Sequence, residues 1–299
     1  KSRIYLFFIF IINFYPFLKL LKIKKPDYVI IHLLTSLPLF LLFLFNFKTK
    51  FILRISGLPK LTIIRTVIWK LFSKYIHKVT APTQKTLKML KKSKIFNQNK
   101  IILLRDPAID KIEISKNKLS KLPNKFKHKT FILSIGRLTN QKNFEFLIKM
   151  FAKYQKIIKT DYLLIIGDGE EKIKLQKIIN HLNCKNSIIL LGFQKNVYNY
   201  INRCQMLVSV AEYEDPGFSL LEAAFLKKKI ITSLVDNGPK DMKKNGNLCY
   251  FFNFNDEKSF LKAVKNSKNK NLKKIKDARK YADKFSILSH TTKLRKILI

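Results

Sequence analysis

Short apolar runs alternate with longer amphipathic stretches along most of this chain. The runs have the length of buried strands, and the stretches between them are long enough for helices. The runs cover residues 28–32, 51–55, 78–81, 100–104, 130–135, 162–166, 187–191, 206–210 and 229–232. Continuous apolar strands that alternate with helices are typical of parallel sheets covered by helices on both faces. The pattern therefore predicts an α/β fold built on parallel sheets.

A polar segment at residues 112–129 interrupts this alternation. It is rich in Lys, Asn, Ser and Pro and shows no apolar period, which is typical of a linker. A chain of 299 residues has room for two domains. We predict an N-terminal domain at residues 1–122, a second domain at residues 123–285, and a C-terminal helix at residues 286–299 that packs back toward the first domain.

Two apolar stretches near the start have nearly the length of membrane spans, but both are interrupted. Asn13, Pro16 and Lys19 interrupt residues 4–21, and a histidine and a proline interrupt residues 28–47. A spanning helix needs about 20 predominantly apolar residues. We interpret the second stretch as a strand followed by a buried helix, and the first as a helix on a membrane surface. A spanning helix and a buried core helix remain alternatives for the first stretch.

The chain carries 60 Lys and Arg residues against 19 Asp and Glu residues, a formal charge of +41. Such a charge suits an anionic membrane surface as a partner. Drift in composition explains it equally well, because nearly all the basic residues are Lys and they accompany many Ile, Asn and Phe residues. We expect no nucleic acid as partner, since the chain lacks the RNA-recognition aromatic motif, zinc-finger spacing and basic-region heptads.

The cysteines give no sign of a disulfide framework or a zinc site. Cys184, Cys204 and Cys249 are odd in number and show no Cys-x-x-Cys spacing, which fits a reducing cytoplasm. The histidines are scattered, and no Asp-x-Asp triplet is present to hold a metal-bound diphosphate. We therefore expect no metal ion at the functional site.

The segment at residues 211–224 carries the strongest chemical signal. It follows a predicted strand, places Glu214 in a loop, and opens a helix at Gly217 that contains Glu222 about one turn further on. A helix N-terminus presents unpaired backbone N–H groups, which can seat a diphosphate, and the glycine permits close approach. The two carboxylates can accept hydrogen bonds from sugar and ribose hydroxyls. Acidic residues at a helix start also serve as simple caps, which is the alternative interpretation.

Four ordered motifs give this segment its context. Together, residues 131–143, 163–170, 189–193 and 211–224 resemble the retaining GT-B glycosyltransferases of family 4. The resemblance implies two Rossmann-like parallel-sheet domains that face each other across a cleft, with the nucleotide-sugar site in the C-terminal half. The family's first strand with its glycine-rich turn has no counterpart here, so we expect the first domain to be incomplete.

The resemblance also assigns roles to two basic residues. It implies that Arg137 and Lys142 neutralise the diphosphate of the donor. Departure of the leaving group puts negative charge on that diphosphate, and fixed cations can stabilise it. Taken alone, Lys142 would be interpreted as a solvated surface lysine.

By the same resemblance, Glu222 binds the ribose hydroxyls and Glu214 contacts the transferred sugar. Gly217, Phe218 and Ser219 would supply main-chain contacts to phosphate or sugar. The chain reads Glu-Asp-Pro-Gly-Phe from position 214, where many relatives read Glu-Gly-Phe-Gly. The loop over the sugar therefore differs, and the identity of the donor sugar cannot be carried over.

Five further positions are assigned less directly. Phe193 is expected near the base, and His32 is expected to face the transferred sugar, with a buried structural histidine as the alternative. Arg54, Ser56 and Lys60 stand at the end of a later strand of the first domain, where open parallel sheets place ligands, and are candidates for acceptor contacts.

The resemblance implies transfer of a hexosyl or N-acetylhexosaminyl group from a nucleotide-diphosphate sugar to a lipid-linked or polysaccharide acceptor. The donor would carry UDP or GDP, the reaction would retain the anomeric configuration, and no metal or further cofactor would be needed. We expect a cytoplasmic protein, peripheral on the inner face of the cell membrane, that acts in cell-envelope polysaccharide synthesis. The alternative is a membrane-associated binding or scaffold protein with a degenerate transferase fold.

Overall fold

The computed structural model describes residues 2–32, 36–269 and 271–299. The chain divides into two compact units. Unit 1 contains Lys1–Arg105 together with Thr292–Ile299, and unit 2 contains Asp106–Thr291.

Unit 1 is built on a parallel sheet of four strands, in the order β1-β2-β3-β4. Its strands are β1 (Tyr28–His32), β2 (Lys50–Arg54), β3 (Lys78–Ala81) and β4 (Ile101–Leu103). Its helices include α1 (Ser2–Lys19), α2 (Ser36–Leu44), α3 (Ile63–Phe72) and α4 (Gln84–Ser93). Helix α1 contains Pro16 and continues into a π-helical turn at Leu20–Lys24.

Unit 2 is built on a parallel sheet of six strands in the order β10-β9-β8-β5-β6-β7, which is the strand order of Rossmann folds. The strands are β5 (Phe131–Ile135), β6 (Tyr162–Ile166), β7 (Ile188–Gly192), β8 (Met206–Ser209), β9 (Lys229–Ser233) and β10 (Tyr250–Phe252). The helices are α5 (Lys111–Asn117), α6 (Phe144–Ile158), α7 (Lys172–His181), α8 (Tyr198–Arg203), α9 (Phe218–Phe225), α10 (Gly238–Lys244), α11 (Glu257–Lys268), α12 (Leu272–Asp283) and α13 (Ile287–Leu298). Helix α13 is shared, because its residues from Thr292 onward belong to unit 1.

Each sheet has a hydrophobic core on both of its faces, because successive side chains of a buried strand point to opposite sides. In unit 2, Ile132 packs into one core and its neighbour Leu133 into the other. In unit 1, Leu53 packs with helices α1 to α4, whereas Ile52 packs with Ile297 at the end of α13. The prediction of an α/β protein with two parallel-sheet domains is confirmed.

All nine predicted runs form strands, with bounds shifted by at most one residue. Strand β10 was not predicted, because three residues are too few to show a period. Among the described residues, no helix combines the length and the apolar character that crossing a bilayer requires.

The segment predicted as a linker belongs instead to unit 2. Asp110 accepts hydrogen bonds from the backbone N–H groups of Ile112 and Glu113 and so caps α5. Ile114 and Leu122 are buried in a core of unit 2. The chain therefore divides after Arg105 and not near residue 122. A few widely spaced apolar residues are enough to anchor this segment, and they are too sparse to give a period in the sequence.

Candidate functional site

The order of strands in unit 2 creates a crevice at the carboxyl ends of β5 and β8. Strand β5 pairs with β6 on one side and with β8 on the other. The connections from these neighbouring strands lead in opposite directions, and open α/β sheets bind ligands at such a switch point. The loop after β5 carries Arg137, and the loop after β8 carries Glu214. Topology alone therefore brings these two parts of the chain together.

A cavity of about 450 Å³ lies at this point. It is lined by Ile135, Gly136, Arg137, Lys142, Val197, Glu214, Asp215, Gly217, Phe218, Ser219 and Glu222. Seven of the nine site residues expected from the sequence are thus brought together around one space. Phe193 lies outside this lining with its side chain largely exposed, and His32 belongs to unit 1.

Lys142 and Glu214, which both line the cavity, form a close ion pair. The Lys142 Nζ atom lies 2.8 Å from Glu214 Oε1, and the Glu214 side chain is 6% exposed. Ser209, at the end of β8, donates its hydroxyl to the same carboxylate oxygen at 3.2 Å. A buried carboxylate is costly unless it is paired and hydrogen-bonded, and Lys142 and Ser209 supply these partners for Glu214.

Arg137 contrasts with Lys142, because its side chain is 76% exposed. Its nearest carboxylate is Glu170, at 3.9 Å from Nε to Oε2, and that side chain is also exposed. Such an exposed pair contributes little, so the guanidinium can turn toward an anion in the cavity without an appreciable loss. A planar guanidinium suits bidentate binding of phosphate oxygens.

The N-terminus of α9 opens toward the same cavity. The helix follows directly on Gly217, which adopts the left-handed conformation with φ of 86°. Within the described part of the chain, no side chain caps this helix and no acidic residue occupies its first turn. Its first N–H groups therefore offer an anion-binding end, and Gly217, Phe218 and Ser219 line the cavity there. The interpretation of the acidic residues as helix caps does not hold for α9.

Glu222 lies one turn into α9 and is largely buried. Burial raises the pKa of Glu222 to about 7, and the charge of Glu113 adds to this shift. A hydrogen bond from the Tyr198 hydroxyl acts in the opposite direction. Tyr198 opens α8, and the same burial and carboxylate charge raise the pKa of its own phenol. Glu222 is thus a carboxylate that gains from hydroxyl donors, such as those of a ribose.

The loop that carries Glu214 is held by the loop after β9. The backbone N–H of Gly238 donates to the carbonyl oxygen of Glu214 at 3.1 Å. The side-chain amide of Asn237 donates to the Tyr213 hydroxyl at 2.9 Å. A Cβ atom at Gly238 would lie 1.9 Å from the carbonyl oxygen of Pro216, so only glycine fits. These contacts fix the position of the Glu214 backbone.

Sequence reasoning missed Tyr198, Ser209 and Gly238 as parts of this site. Tyr198 and Gly238 contact glutamates that are distant along the chain, whereas Ser209 stands five residues before Glu214. No pattern in the sequence predicts these hydrogen bonds.

The comparisons with known proteins agree with this geometry. The family model described as Glycosyl transferases group 1 matches residues 115–285, more than half of the chain. The chain belongs to this family. The group 1 match spans the six-stranded sheet and all the lining residues of the cavity.

Relatives of this group 1 protein include an uncharacterized glycosyltransferase of Methanocaldococcus jannaschii. It is 32% identical over 81% of this chain and 63% of its own length. A Campylobacter jejuni relative, N-acetylgalactosamine-N,N'-diacetylbacillosaminyl-diphospho-undecaprenol 4-alpha-N-acetylgalactosaminyltransferase, is 30% identical over 53% of this chain and 42% of its own length. The chain thus spans less than two thirds of either relative.

The fold also matches a solved structure from Anabaena, HepE in complex with UDP. The TM-score is 0.74 at 13% identity, and the match covers 92% of this chain and 79% of the other. Together with the two parallel sheets, this likeness identifies the GT-B fold.

In unit 1 of this group 1 protein, two candidate acceptor-side residues meet at the carboxyl ends of β1 and β2. His32 Nε2 lies 2.5 Å from the Ser56 hydroxyl oxygen. The His32 side chain is exposed, so the alternative of a buried structural histidine is wrong. Among the described residues of the whole chain, no three His, Cys, Asp or Glu side chains are grouped so as to hold a metal ion.

Proposed function

We propose that this protein transfers a hexosyl or N-acetylhexosaminyl group from a nucleotide-diphosphate sugar to a lipid-linked or polysaccharide acceptor. The observation that carries the proposal is the cavity at the switch point of unit 2. It joins two cations, the N-terminus of α9 and two glutamates with different surroundings. A nucleotide-diphosphate sugar presents matching groups, namely two phosphates, a ribose diol and the hydroxyls of a sugar.

The charges in the cavity suit the departure of a diphosphate. Negative charge grows on the diphosphate as the bond to the sugar breaks, and groups already aimed at that charge lower the barrier. Arg137 and the first N–H groups of α9 can bind the phosphate oxygens. Lys142 can contact a phosphate while it stays beside Glu214, because its three N–H donors serve more than one acceptor.

The two glutamates would bind different hydroxyl groups of the donor. Glu222 accepts a hydrogen bond from Tyr198, and its remaining acceptor positions suit the ribose diol. Glu214 is fixed by Lys142, by Ser209 and by its own backbone contact, so it can orient the hydroxyls of the transferred sugar. Precise orientation of the anomeric carbon is the main requirement for a directed transfer.

Retention of configuration, independence of metal ions and membership of family 4 complete the proposal and rest on the resemblance of the sequence motifs. In this mechanism the acceptor attacks from the face on which the diphosphate leaves. Fixed cations and helix N–H groups then stabilise the leaving group. UDP or GDP is the proposed nucleotide, and the Anabaena structure with UDP supports the first of these.

The proposed acceptor is supported by the printed name of the Campylobacter relative, which includes diphospho-undecaprenol. We place this protein in cell-envelope polysaccharide synthesis, at the inner face of the cell membrane. The competing function is a membrane-associated scaffold with a degenerate site. The intact charges of the cavity support an enzyme, because a degenerate site would tolerate their loss.

Calorimetric titration with UDP, GDP and ADP, each with and without magnesium, tests the donor site. We expect one nucleotide to bind without magnesium and Arg137→Ala to weaken that binding at least tenfold, as loss of a charge-assisted contact predicts. Arg203→Ala removes an exposed arginine outside the cavity and serves as the matched control. Failure of all three nucleotides to bind to folded protein would favour the scaffold.

A further inference from the structure

Helix α1 of unit 1 exposes a stripe of large apolar side chains. Phe8, Ile12 and Tyr15 are spaced four and three residues apart, so they lie on one side of the helix. Each of these three side chains is more than half exposed. Lys19 continues the same side of the helix at its end. The other side of α1 packs into the core of unit 1 through Phe14 and Phe17.

Helix α2 continues this apolar surface beside α1. Its outer side exposes Phe40, Phe43 and Leu44. The ring of Phe40 meets Phe10 of α1 edge to face, with 5.6 Å between centroids. The ring of Phe43 meets Phe72 of α3 in the same way at 5.8 Å. Helix α2 therefore joins its two neighbours laterally through aromatic contacts.

Helix α3 contributes the most exposed apolar side chains of the three. Ile64, Val67 and Leu71 lie on one side of the helix, and their exposed fractions are 73%, 51% and 63%. Ile63, in the first turn, is 84% exposed. The opposite side of α3 buries Trp69 in the core. A surface helix of a soluble domain normally turns its polar side outward, and α3 does the reverse.

These three outer sides point the same way. Strands β1, β2 and β3 are neighbours in chain order, so the right-handed crossovers through α2 and α3 lie on one side of the sheet. Helix α1 packs on that side too, because Phe14, Leu39 and Trp69 share one core. The exposed apolar side chains of α1, α2 and α3 form one surface, which is called the three-helix face below.

The charge of the unit that carries the three-helix face is almost entirely positive. Residues 1–105 contain 21 Lys and Arg residues and one acidic residue, Asp27. Lys19 lies at the end of the α1 stripe, Lys70 lies in the last turn of α3, and Lys60 and Lys74 flank that helix; all four side chains are exposed. Long lysine side chains beside apolar groups suit a boundary between hydrocarbon and anionic headgroups. A second copy of the chain would instead bring two surfaces of the same charge together.

We infer that the three-helix face lies in the headgroup region of an anionic lipid bilayer. Its apolar side chains enter the acyl boundary, and the surrounding lysines contact lipid phosphates. Exposed apolar patches of this extent mark interaction sites. The surface includes α2 and α3 and thus extends beyond the single helix expected from the sequence.

The placement of this surface fits the proposed acceptor, and this step rests on the proposed function. Helix α3 begins after the carboxyl end of β2, at the same edge of the sheet as His32 and Ser56. A lipid-linked acceptor could therefore present its sugar to these residues while its lipid stays in the bilayer.

Co-sedimentation with vesicles tests the inference directly. Wild-type protein is mixed with phosphatidylcholine vesicles and with vesicles that also contain phosphatidylglycerol. The double variant Ile64→Gln, Leu71→Gln removes apolar groups that are already exposed, so folding should not suffer. Ile173→Gln, Leu288→Gln is the matched control, because these residues of unit 2 are 72% and 71% exposed. We expect the first variant to bind the anionic vesicles at least about tenfold more weakly, as loss of two apolar groups from an interface predicts, and the control to bind like the wild type.

Several outcomes would overturn the inference. These are equal binding to both kinds of vesicle, no binding to either, and a double variant that binds as well as the wild type. A wild-type dimer that the double variant dissociates would show that a second copy covers the face. Nucleotide titration of the same proteins separates the two proposals, because it reports the donor site whether or not the vesicles are bound.

Discussion

Units 1 and 2 share a parallel α/β architecture but differ sharply at their surfaces. Unit 1 contains 24 basic residues and one acidic residue, whereas unit 2 contains 36 basic and 18 acidic residues. The outer sides of α1, α2 and α3 expose large apolar side chains, while the helices of unit 2 show only scattered ones. The excess of positive charge is thus densest in the unit that also exposes the apolar surface.

The comparison shows two ways in which a fold can carry function. Unit 2 concentrates its chemistry in one cavity, where each charged side chain has a defined partner or faces the space. The lipid-binding surface that we infer for unit 1 instead consists of many similar side chains, so no single one of them is essential. Substitutions in unit 2 should therefore have large and local effects, and single substitutions on the three-helix face should have small effects that add up.

The largest effect is expected for Lys142→Ala. The substitution leaves the buried Glu214 carboxylate without its cation, which should lower the free energy of unfolding by about 3 kcal/mol. It also removes a charge beside the proposed diphosphate, so turnover should fall by about 100-fold or more. Denaturant unfolding and an assay of sugar transfer measure the two effects.

Lys149→Ala is the control, because Lys149 pairs with Glu145 at 2.7 Å in an exposed setting. Exposed pairs contribute at most about 1 kcal/mol. Equal losses of stability in the two variants would refute the buried, cavity-centred arrangement of unit 2.

The next effect concerns pH and Glu222. Its pKa is about 7 in the folded protein against an ordinary value of 4.5, so the folded state holds more protons than the unfolded state between these values. Stability from this group is therefore greatest below pH 4.5, falls as the pH rises to about 7, and then levels off. Glu222→Gln should remove this dependence and exceed wild-type stability above pH 7 by up to about 3 kcal/mol.

Unfolding measured at several pH values checks the Glu222 prediction. Glu212→Gln, in an exposed position of the same loop region, is the control and should leave the pH dependence unchanged. In Tyr198→Phe the fall in stability should extend to higher pH, because the Tyr198 hydroxyl lowers the pKa of Glu222. If the stability of Glu222→Gln depends on pH in the same way as that of the wild type, burial does not raise the pKa of the Glu222 carboxyl.

A smaller loss is expected for Gly238→Ala. The added methyl would meet the carbonyl oxygen of Pro216 at 1.9 Å, which forces the Glu214 loop to move and should cost about 2 kcal/mol of stability. Gly192→Ala is the comparison, because nothing lies within 4 Å of its Cβ position and only its φ of +68° opposes the change. That strain costs about 1 kcal/mol. Thermal unfolding and nucleotide affinity should both rank Gly238→Ala as the more harmful variant.

The sequence predicted the sheet strands from a local signal, whereas the seven lining residues came from the resemblance of four ordered motifs to a known family. A buried parallel strand is a continuous apolar run, and Glu214 and Glu222 stand at a fixed spacing around a helix start. Gly238 and Tyr198 could not be found in this way, since each matters only through a segment that is distant along the chain. The roles expected for Phe193 and His32 remain predictions, because neither side chain lies at the cavity of unit 2.

The smallest expected effect separates membrane attraction from drift in composition as the origin of the charge. Lys19→Gln removes one charge from the end of the α1 stripe, and Lys262→Gln removes a charge from α11 in unit 2 that is also exposed. A lysine near an anionic surface contributes about 1 kcal/mol, so Lys19→Gln should weaken binding to phosphatidylglycerol vesicles roughly fivefold. Lys262→Gln should change it little, and added salt should reduce the difference between the variants because it screens the charges. If the lysines reflect composition alone, the two variants will bind vesicles equally, and the contrast in charge between the units will have no functional meaning.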